Sequence, residues 1–465
     1  MANGGVLNLE QLKIKEILEA TGGKLLKGSL EEVVKNISTD SRNIEKYDLF
    51  IPIVGEKFDG HTYINQAVLK GATAVLTEKD LNDDLDAVVI KVEDTKKAYL
   101  DIARAYRKKF NIPFIGVVGS VGKTSTKDMI ASVLSTNMNV LKTEGNFNNE
   151  IGVPITLLRL EKANDVAILE MGMNNFGEIS RLTSAVLPNY VVISNIGVSH
   201  IENLGSRENI LKAKLEVLEG LDKNGIVFIN NDDDMLQSVL GKIPFKTITY
   251  GIENECDYRA INIKNNGEEG VTFDIVLDDK TYHFKINALG RHNVYNALSA
   301  IALARSMNIS INDIIEGVSN FKSGKMRLNI EDRGKYRIIN DSYNASTDSM
   351  KASIDVLESV SKDKRSIAVL GDMLEMGDYA PSEHTKVGDY INNKDIDCVI
   401  TVGNNSKYIA KPLIEKGHSN VYSFNDNKET LEFLKKFIQQ DDIILFKASR
   451  GMKLEEIING LKDDI

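Results

Sequence analysis

At 465 residues, with 42% hydrophobic and 27% charged side chains, the chain has the make-up of a soluble globular protein of about two to four domains. A net charge of −10 argues against nucleic acid or an anionic membrane surface as the main partner, since both attract basic faces. Two distant cysteines, Cys256 and Cys398, with no CxxC pair, indicate neither a disulfide framework nor a zinc ribbon.

In chain order, the first twenty residues mix Glu10, Lys13, Lys15, Glu16 and Glu19 with leucines and isoleucines, as an amphipathic helix does and a secretory signal does not. No run of eighteen apolar residues occurs, so membrane insertion is not expected and the cytoplasm is the expected compartment. Residues 1–105 read as a small α/β unit. It contains a strand in Asp48–Gly55, a helix in Tyr63–Ala72, a strand in Ala87–Val92 and a helix over 95–109. Pro113 follows, and the residue before a proline resists helix, which marks a boundary. The apolar runs Phe114–Val118, Val166–Leu169 and Tyr190–Ile196 alternate with helical stretches, the pattern of a parallel sheet covered on both faces. Residues 255–290 read as an antiparallel patch, and the helix Val294–Met307 follows. From residue 326 four strand-like runs, YRIINDS, RSIAVLGD, CVITVG and DIILFKAS, alternate with helical segments like a second dinucleotide-type fold. The expected fold is α/β with three domains. These are a small N-terminal α/β domain (1–110), a central P-loop parallel-sheet domain with an antiparallel patch (111–325) and a Rossmann-like C-terminal domain (326–465).

The strongest motif is Gly119-Ser120-Val121-Gly122-Lys123-Thr124-Ser125, between an apolar strand and the helical run Thr126–Leu134. Small residues there let backbone N–H groups wrap phosphate oxygens at a helix N-terminus. Lys123 would reach the β- and γ-phosphates of ATP, and the Thr124 hydroxyl would bind Mg²⁺. Val117 stands where the strict P-loop pattern has glycine, so the shorter GxxGKT form is what remains. Glu170 ends the strand-like run Val166–Leu169, where a metal-binding acid beside a P-loop would sit. His200 follows another strand, and context alone leaves it either structural or ligating. With residues at roughly 100° intervals around a helix, Ile210, Ala213, Val217, Leu218 and Leu221 form one apolar face, with Lys214 in its middle. Such a lysine either snorkels or is desolvated into a neutral, nucleophilic amine able to take up CO₂ as a carbamate.

Together these motifs resemble the Mur ligase family over essentially the whole chain. Gly145–Pro154 is similar to the family's substrate loop in the form typical of the D-alanyl-D-alanine-adding member, which implies substrate contacts at Asn146, Asn148 and Asn149. Glu170-Met-Gly-Met-Asn resembles the metal-acid motif, and Ser194–His200 with Lys212-Ala-Lys214 resembles the histidine and carbamylated-lysine motif. Gly290–Asn296 resembles the nucleotide motif, with Asn293 and Asn296 near adenine. Arg327 matches a phosphate contact and Asp341 a ribose contact, with Tyr343 and Asn344 beside the substrate. Leu370–Gly377, His384 and Lys447–Arg450 resemble the C-terminal motifs. Ser38–Arg42 and Lys57–His61 resemble the part that holds the UDP end of the substrate, through Ser41, Arg42, Lys57 and Asp59; turn chemistry is the other reading of these polar clusters. Two departures stand out: Asn175 replaces a usual His, and Ser346-Thr347 replaces a usual Asn-Pro.

The resemblance implies amide formation driven by ATP. The carboxylate of a UDP-linked muramoyl tripeptide attacks the γ-phosphate, and the amine of D-alanyl-D-alanine then attacks the acyl-phosphate. Lys123, His200, Lys214 and Arg327 are the implied catalytic groups. Thr124, Glu170, His200 and Lys214 (carrying a CO₂-derived carbamate) are the implied holders of two Mg²⁺, and a monomer is expected. Three alternatives stay open. One is a sibling ligase adding diaminopimelate or lysine, whose Asp-Asn-Pro-Arg signature is absent here. The others are a folylpolyglutamate synthase and a non-catalytic P-loop switch.

Overall fold

The computed structural model describes Leu9 and residues 11–55, 57–81 and 84–462; residues 1–8 and Glu10, at the start of the expected first helix, lie outside them. The chain forms two compact units. One comprises residues up to 117 with 138–191 and 215–225, and the other comprises 118–137, 192–214 and 226 onward.

The first unit begins with the helix Ile14–Thr21, closed by Gly22 in the left-handed conformation with its N–H donating to Leu18 O at 2.9 Å. A five-stranded sheet follows, in the order Lys24–Lys27, Val88–Lys91, Ala74–Thr77, Asp48–Phe50, Asn36–Ser38. Its first pair is antiparallel and the rest are parallel. The expected strand through Gly55 stops at Phe50, because Pro52 has no N–H to offer a ladder. The helix Thr95–Arg107 is capped by Asp94, whose carboxylate accepts from Lys97 N at 2.8 Å. Ala98, Tyr99, Ile102, Ala103 and Tyr106 bury one face of it. Arg107 ends the helix over the Phe114 ring and donates to Val186 O and Leu187 O, both at 2.8 Å; burial pushes its guanidinium pKa down to about 10. Three parallel strands, Phe114–Val118, Val166–Glu170 and Val140–Lys142, run side by side, fully buried in the first two, as continuous apolar runs should be.

The second unit contains two sheets. Ile226–Asn230, Lys246–Gly251 and Tyr258–Asn265 pair in parallel, and Val271–Leu277 and Lys280–Ile286 extend the array antiparallel, as the alternating pattern of 255–290 led one to expect. The helices Lys123–Leu134 and His292–Ser306 pack on each other. The C-terminal sheet has the order Asn329–Asp332, Arg337–Asn340, Ile443–Lys447, Ser366–Gly371, Cys398–Val402, Val421–Phe424. Only its first pair is antiparallel. Its four inner strands were all visible as apolar runs; the two edge strands are half-exposed and carry too little hydrophobic pattern to announce themselves. The expected single helix through Leu221 ends at Leu215 and tightens into a 3₁₀ turn over Glu216–Gly220.

Gly317, in the helix Ile311–Ser319, lets that helix sit on Lys123–Leu134 without a gap: a Cβ there would lie 2.4 Å from Val133 Cα, and Ser132 Oγ donates to Gly317 O at 2.7 Å. Gly317→Ala is therefore expected to cost about 1–3 kcal/mol through overpacking, seen as a fall of several degrees in Tm by differential scanning fluorimetry. An unchanged Tm would mean the helix pair can slide apart freely.

Candidate active site

In the second unit the Gly119–Ser125 turn is held from outside by two adjacent side chains. Asn195 Oδ1 accepts from Val121 N at 2.8 Å, and Asn195 Nδ2 donates to Val121 O at 2.9 Å. Ser194 Oγ donates to the same carbonyl at 2.8 Å, and Ser120 N donates to Asn195 O at 3.0 Å. Gly119 is required by contact: a Cβ would fall 1.9 Å from Ser194 Oγ. Gly122 has φ 81, a left-handed value that opens the helix Lys123–Leu134. The turn is thus a fixed frame with its backbone committed at Val121.

Cationic groups gather on this frame. Lys123 Nζ lies 2.8 Å from Gly119 O and 3.4 Å from Ser120 O, folded back on its own turn. Arg327 Nη2 donates to Thr124 Oγ1 at 3.1 Å, with its guanidinium 4.2 Å from the centre of the Tyr343 ring. Ser120 Oγ is buried with no hydrogen-bond partner. Lys214 is 2% exposed, and no hydrogen bond or ion pair satisfies its amine among the described residues. Burial, and then the positive charge of Lys123, drive its pKa well below the ordinary lysine value. Of the two readings of this lysine, desolvation is the one the fold realises. A buried amine close enough to feel the charge of Lys123, with the free Ser120 hydroxyl on the same turn as Lys123, fits an anionic phosphate chain with its cation.

Asn293 and Asn296 are buried and already engaged. Asn296 accepts from Thr126 Oγ1 at 2.9 Å and donates to Asn293 Oδ1 at 2.9 Å, and Asn293 Nδ2 donates to Leu289 O at 2.7 Å. They tie the helix His292–Ser306 to the helix that leaves the turn. Asp341 is bound by Lys447 Nζ at 2.5 Å and Ser353 Oγ at 2.6 Å, and Lys447 also donates to Asn344 O at 3.1 Å.

In the first unit Glu170 is 2% exposed at the end of its strand, where its Oε1 accepts from Asn148 Nδ2 at 2.8 Å. Asn149 Oδ1 accepts from Ile151 N at 3.1 Å and Gly152 N at 2.9 Å, shaping the loop, and Asn146 is exposed. Asp59 is held by Lys79 and by His61, whose N and Nδ1 lie at 3.0 and 2.7 Å; these contacts, Lys79 first, keep its carboxyl far below the usual range. Arg42 grips Asp40 through two nitrogens, Ser41 Oγ is 3.4 Å from Gln66 Oε1, and Lys57 is exposed. Asp59 is thus engaged within its own turn, as Arg42 is with Asp40.

Among the described residues no three His, Cys, Asp or Glu side chains gather as a ligand set; Glu170 and His200 are the two such residues in the anticipated set, which a hydroxyl and a lysine complete. The roles of Ser194 and Asn195 escaped the sequence reading, although both lie inside a motif it singled out. So did Asp372. Its carboxylate accepts from the N–H groups of Asn404, Asn405 and Ser406 at 3.1, 3.0 and 2.7 Å, filling the anion seat at the start of the helix Lys407–Glu415. The C-terminal fold is of dinucleotide type, but this seat is taken by its own carboxylate.

His384 is completely buried; its Nε2 accepts from Met373 N at 2.9 Å, which leaves Nδ1 to donate to Ala380 O at 2.7 Å. Burial lowers its pKa. The unfolded chain then binds the extra proton first, so this residue's contribution to stability is lost as pH falls below about 6.5. The Tm gap between the wild type and His384→Gln is expected to narrow from pH 7.5 to pH 5; a constant gap would contradict a neutral, acceptor imidazole.

Residues 33–110 match the family described as "Mur ligase family, catalytic domain", residues 117–304 the "Mur ligase middle domain", and residues 326–450 the "Mur ligase, glutamate ligase domain". The UDP-N-acetylmuramoyl-tripeptide–D-alanyl-D-alanine ligase of Bacillus subtilis is 41% identical over 452 residues, covering 96% of this chain and 98% of that one. The ligase of the same name from Escherichia coli is 34% identical over 434 residues, covering 92% and 94%. A crystal structure of MurF from Acinetobacter baumannii superposes with a TM-score of 0.91 at 29% identity, covering 98% and 100%. MurF ligase from Thermotoga maritima in complex with ADP superposes with a TM-score of 0.82 at 25% identity, covering 92% and 97%.

Proposed function

Because the chain belongs to the Mur ligase family, we infer that it joins D-alanyl-D-alanine to a UDP-N-acetylmuramoyl tripeptide, with ATP cleaved to ADP and phosphate. The observation that carries this reading is the clamped Gly119–Ser125 turn with Lys123, Arg327 and the buried Lys214 in one compact unit, in a chain 41% identical to a ligase of that name.

The tripeptide's terminal carboxylate attacks the γ-phosphate, ADP leaves, and the resulting acyl-phosphate is attacked by the amine of D-alanyl-D-alanine. Phosphate departs as the amide forms. No protein nucleophile is needed, and catalysis consists of positioning and charge stabilisation. Lys123 releases its hold on Gly119 O and turns to the β- and γ-oxygens. Arg327, kept flat by Tyr343, meets the phosphate charge beside Thr124. Thr124, Glu170, His200 and Lys214 are the residues that would hold the cations, two Mg²⁺, which would neutralise charge on the transferring group. The desolvated amine of Lys214 would add to CO₂, losing a proton and becoming a carbamate, which turns a buried neutral amine into an anionic ligand. Asn293 and Asn296 line the adenine end, and Asp341 takes the ribose.

Residues 1–110 hold the UDP end of the substrate through Ser41, Arg42 and Lys57, with Asp59 setting the loop. Residues 111–325 hold ATP, with Asn146, Asn148 and Asn149 on the substrate side. Residues 326–465 close on ATP and receive the dipeptide near Tyr343 and Asn344. Among the described residues no helix is long and apolar enough to cross a membrane. A reaction that consumes ATP and a UDP-linked precursor belongs in the cytoplasm.

Release of ADP is expected only when Mg-ATP, a UDP-muramoyl tripeptide and D-alanyl-D-alanine are all present. Release with a different amine would keep the chemistry and replace the substrate, whereas ATP hydrolysis without any amine would favour a nucleotide switch. Lys123→Ala is expected to abolish turnover with the fold intact by circular dichroism; near-wild-type turnover would sink the reading. Lys214→Ala is expected to lose activity that short carboxylates such as acetate restore in part, and a fully active variant would dismiss the carbamate.

A further inference from the structure

The Leu370–Gly377 motif contains a residue with no role so far. Glu375 reaches His200, its Oε2 lying 2.7 Å from Nδ1. Nδ1 is sealed from solvent and makes no aligned hydrogen bond among the described residues, the close approach of Glu375 being an ion-pair contact. The contact belongs to a longer seam. Tyr379 Oη donates to Gly205 O at 2.8 Å, and Gly377 lies so near Glu202 that a Cβ would be 3.1 Å from its Cγ. The stretch 374–379 therefore lies along 200–205, the end of the helix Ile201–Leu204 that His200 opens.

The backbone is unusual on both sides of this seam. His200 has φ 64 and Glu375 φ 63, left-handed values at two residues with full side chains. Such conformations are costly and persist where surrounding structure over-determines them. Here the outcome of both is that one side chain is aimed at the other.

We propose that Glu375 is the positioning residue for His200: its carboxylate keeps the proton on Nδ1 and leaves the Nε2 lone pair for a cation at the phosphate end of the Gly119–Ser125 turn. A histidine whose second nitrogen is held by a carboxylate has a fixed tautomer and ring orientation and is a better ligand. Docking of 374–379 on 200–205 and completion of the His200 ligand are then one event, so the C-terminal domain completes a ligand of the central domain. This rests on the ligase reading for the cation and on geometry alone for the ring.

Glu375 has a side-chain exposure of 58%, so its replacement leaves the fold intact. The test compares full-length wild type, Glu375→Ala and Glu375→Gln. Nitrogen NMR of histidine-labelled protein without nucleotide reads the His200 ring. The wild type should show one tautomer with protonated Nδ1, and the alanine variant a mixture. The glutamine variant should restore the wild-type pattern, because its amide oxygen still accepts from Nδ1–H. In turnover assays Glu375→Ala should raise the Mg²⁺ concentration for half-maximal rate about tenfold or more, with KM for D-alanyl-D-alanine unchanged. An unaltered ring in Glu375→Ala overturns the positioning role. An altered ring with an unmoved Mg²⁺ requirement overturns the assignment of His200 to the cation, whatever the fate of the ligase reading.

Discussion

The double grip of Asn195 on Val121 is the constraint from which the rest of the site follows. A Gly-rich turn is entropically expensive to hold still, and a phosphate site needs its N–H groups aimed before the ligand arrives. Asn195 supplies both a donor and an acceptor to one peptide, Ser194 adds a second donor, and Gly119 is small enough to let Ser194 come close. Because Ser194 and Asn195 follow the strand Tyr190–Ile193, the same peptide that pins the turn continues to His200. The position of the imidazole and the position of the phosphate cradle are therefore set together.

On that frame the chain places positive charge where its overall balance is negative. The chain's net charge is −10, while Lys123 and Arg327 contact the turn and the buried Lys214 lies close enough to feel the charge of Lys123. Burial first, and the nearby charge of Lys123 second, push the pKa of Lys214 down. An arrangement that destabilises the free protein is reasonable only if a ligand or a modification removes the conflict, by bringing in anionic oxygens or by converting the amine to an anion.

Much of this was legible in the letters. Apolar runs gave most of the buried parallel strands, though not Ala74–Thr77 or Ile226–Asn230, and the glycines with Lys-Thr located the turn, since these depend on short-range pattern. The anomalous Lys214 was visible because helical spacing puts it on the apolar face; whether it snorkels depends on what covers that face, which spacing does not contain. Asn195, Asp372 and Glu375 were missed for a related reason. Each acts through contacts many residues away in sequence, and an Asn, Asp or Glu in a loop carries no local sign of its partner. The edge strands Asn329–Asp332 and Val421–Phe424 were missed because half-exposed strands have weak periodicity.

The departure at Ser346-Thr347 shows how far a motif can change without loss of its physical job. Ser346 is the N-cap of the helix Thr347–Ser361, with a capping box to Ser349, and Thr347 is its first helical residue. At an N-cap, serine and asparagine rank equally, because both place an oxygen within reach of the free N–H groups. At the first helical position proline is favoured only because its missing N–H is not needed there. Threonine keeps that tolerance and adds a hydroxyl, which donates at 2.6 Å to the buried Glu383. Glu383 in turn is paired with Lys386 and stands next to His384, whose imidazole accepts from Met373 of the Gly371-Asp372-Met373 turn. The substitution thus preserves the helix start and ties it to the turn that carries Glu375.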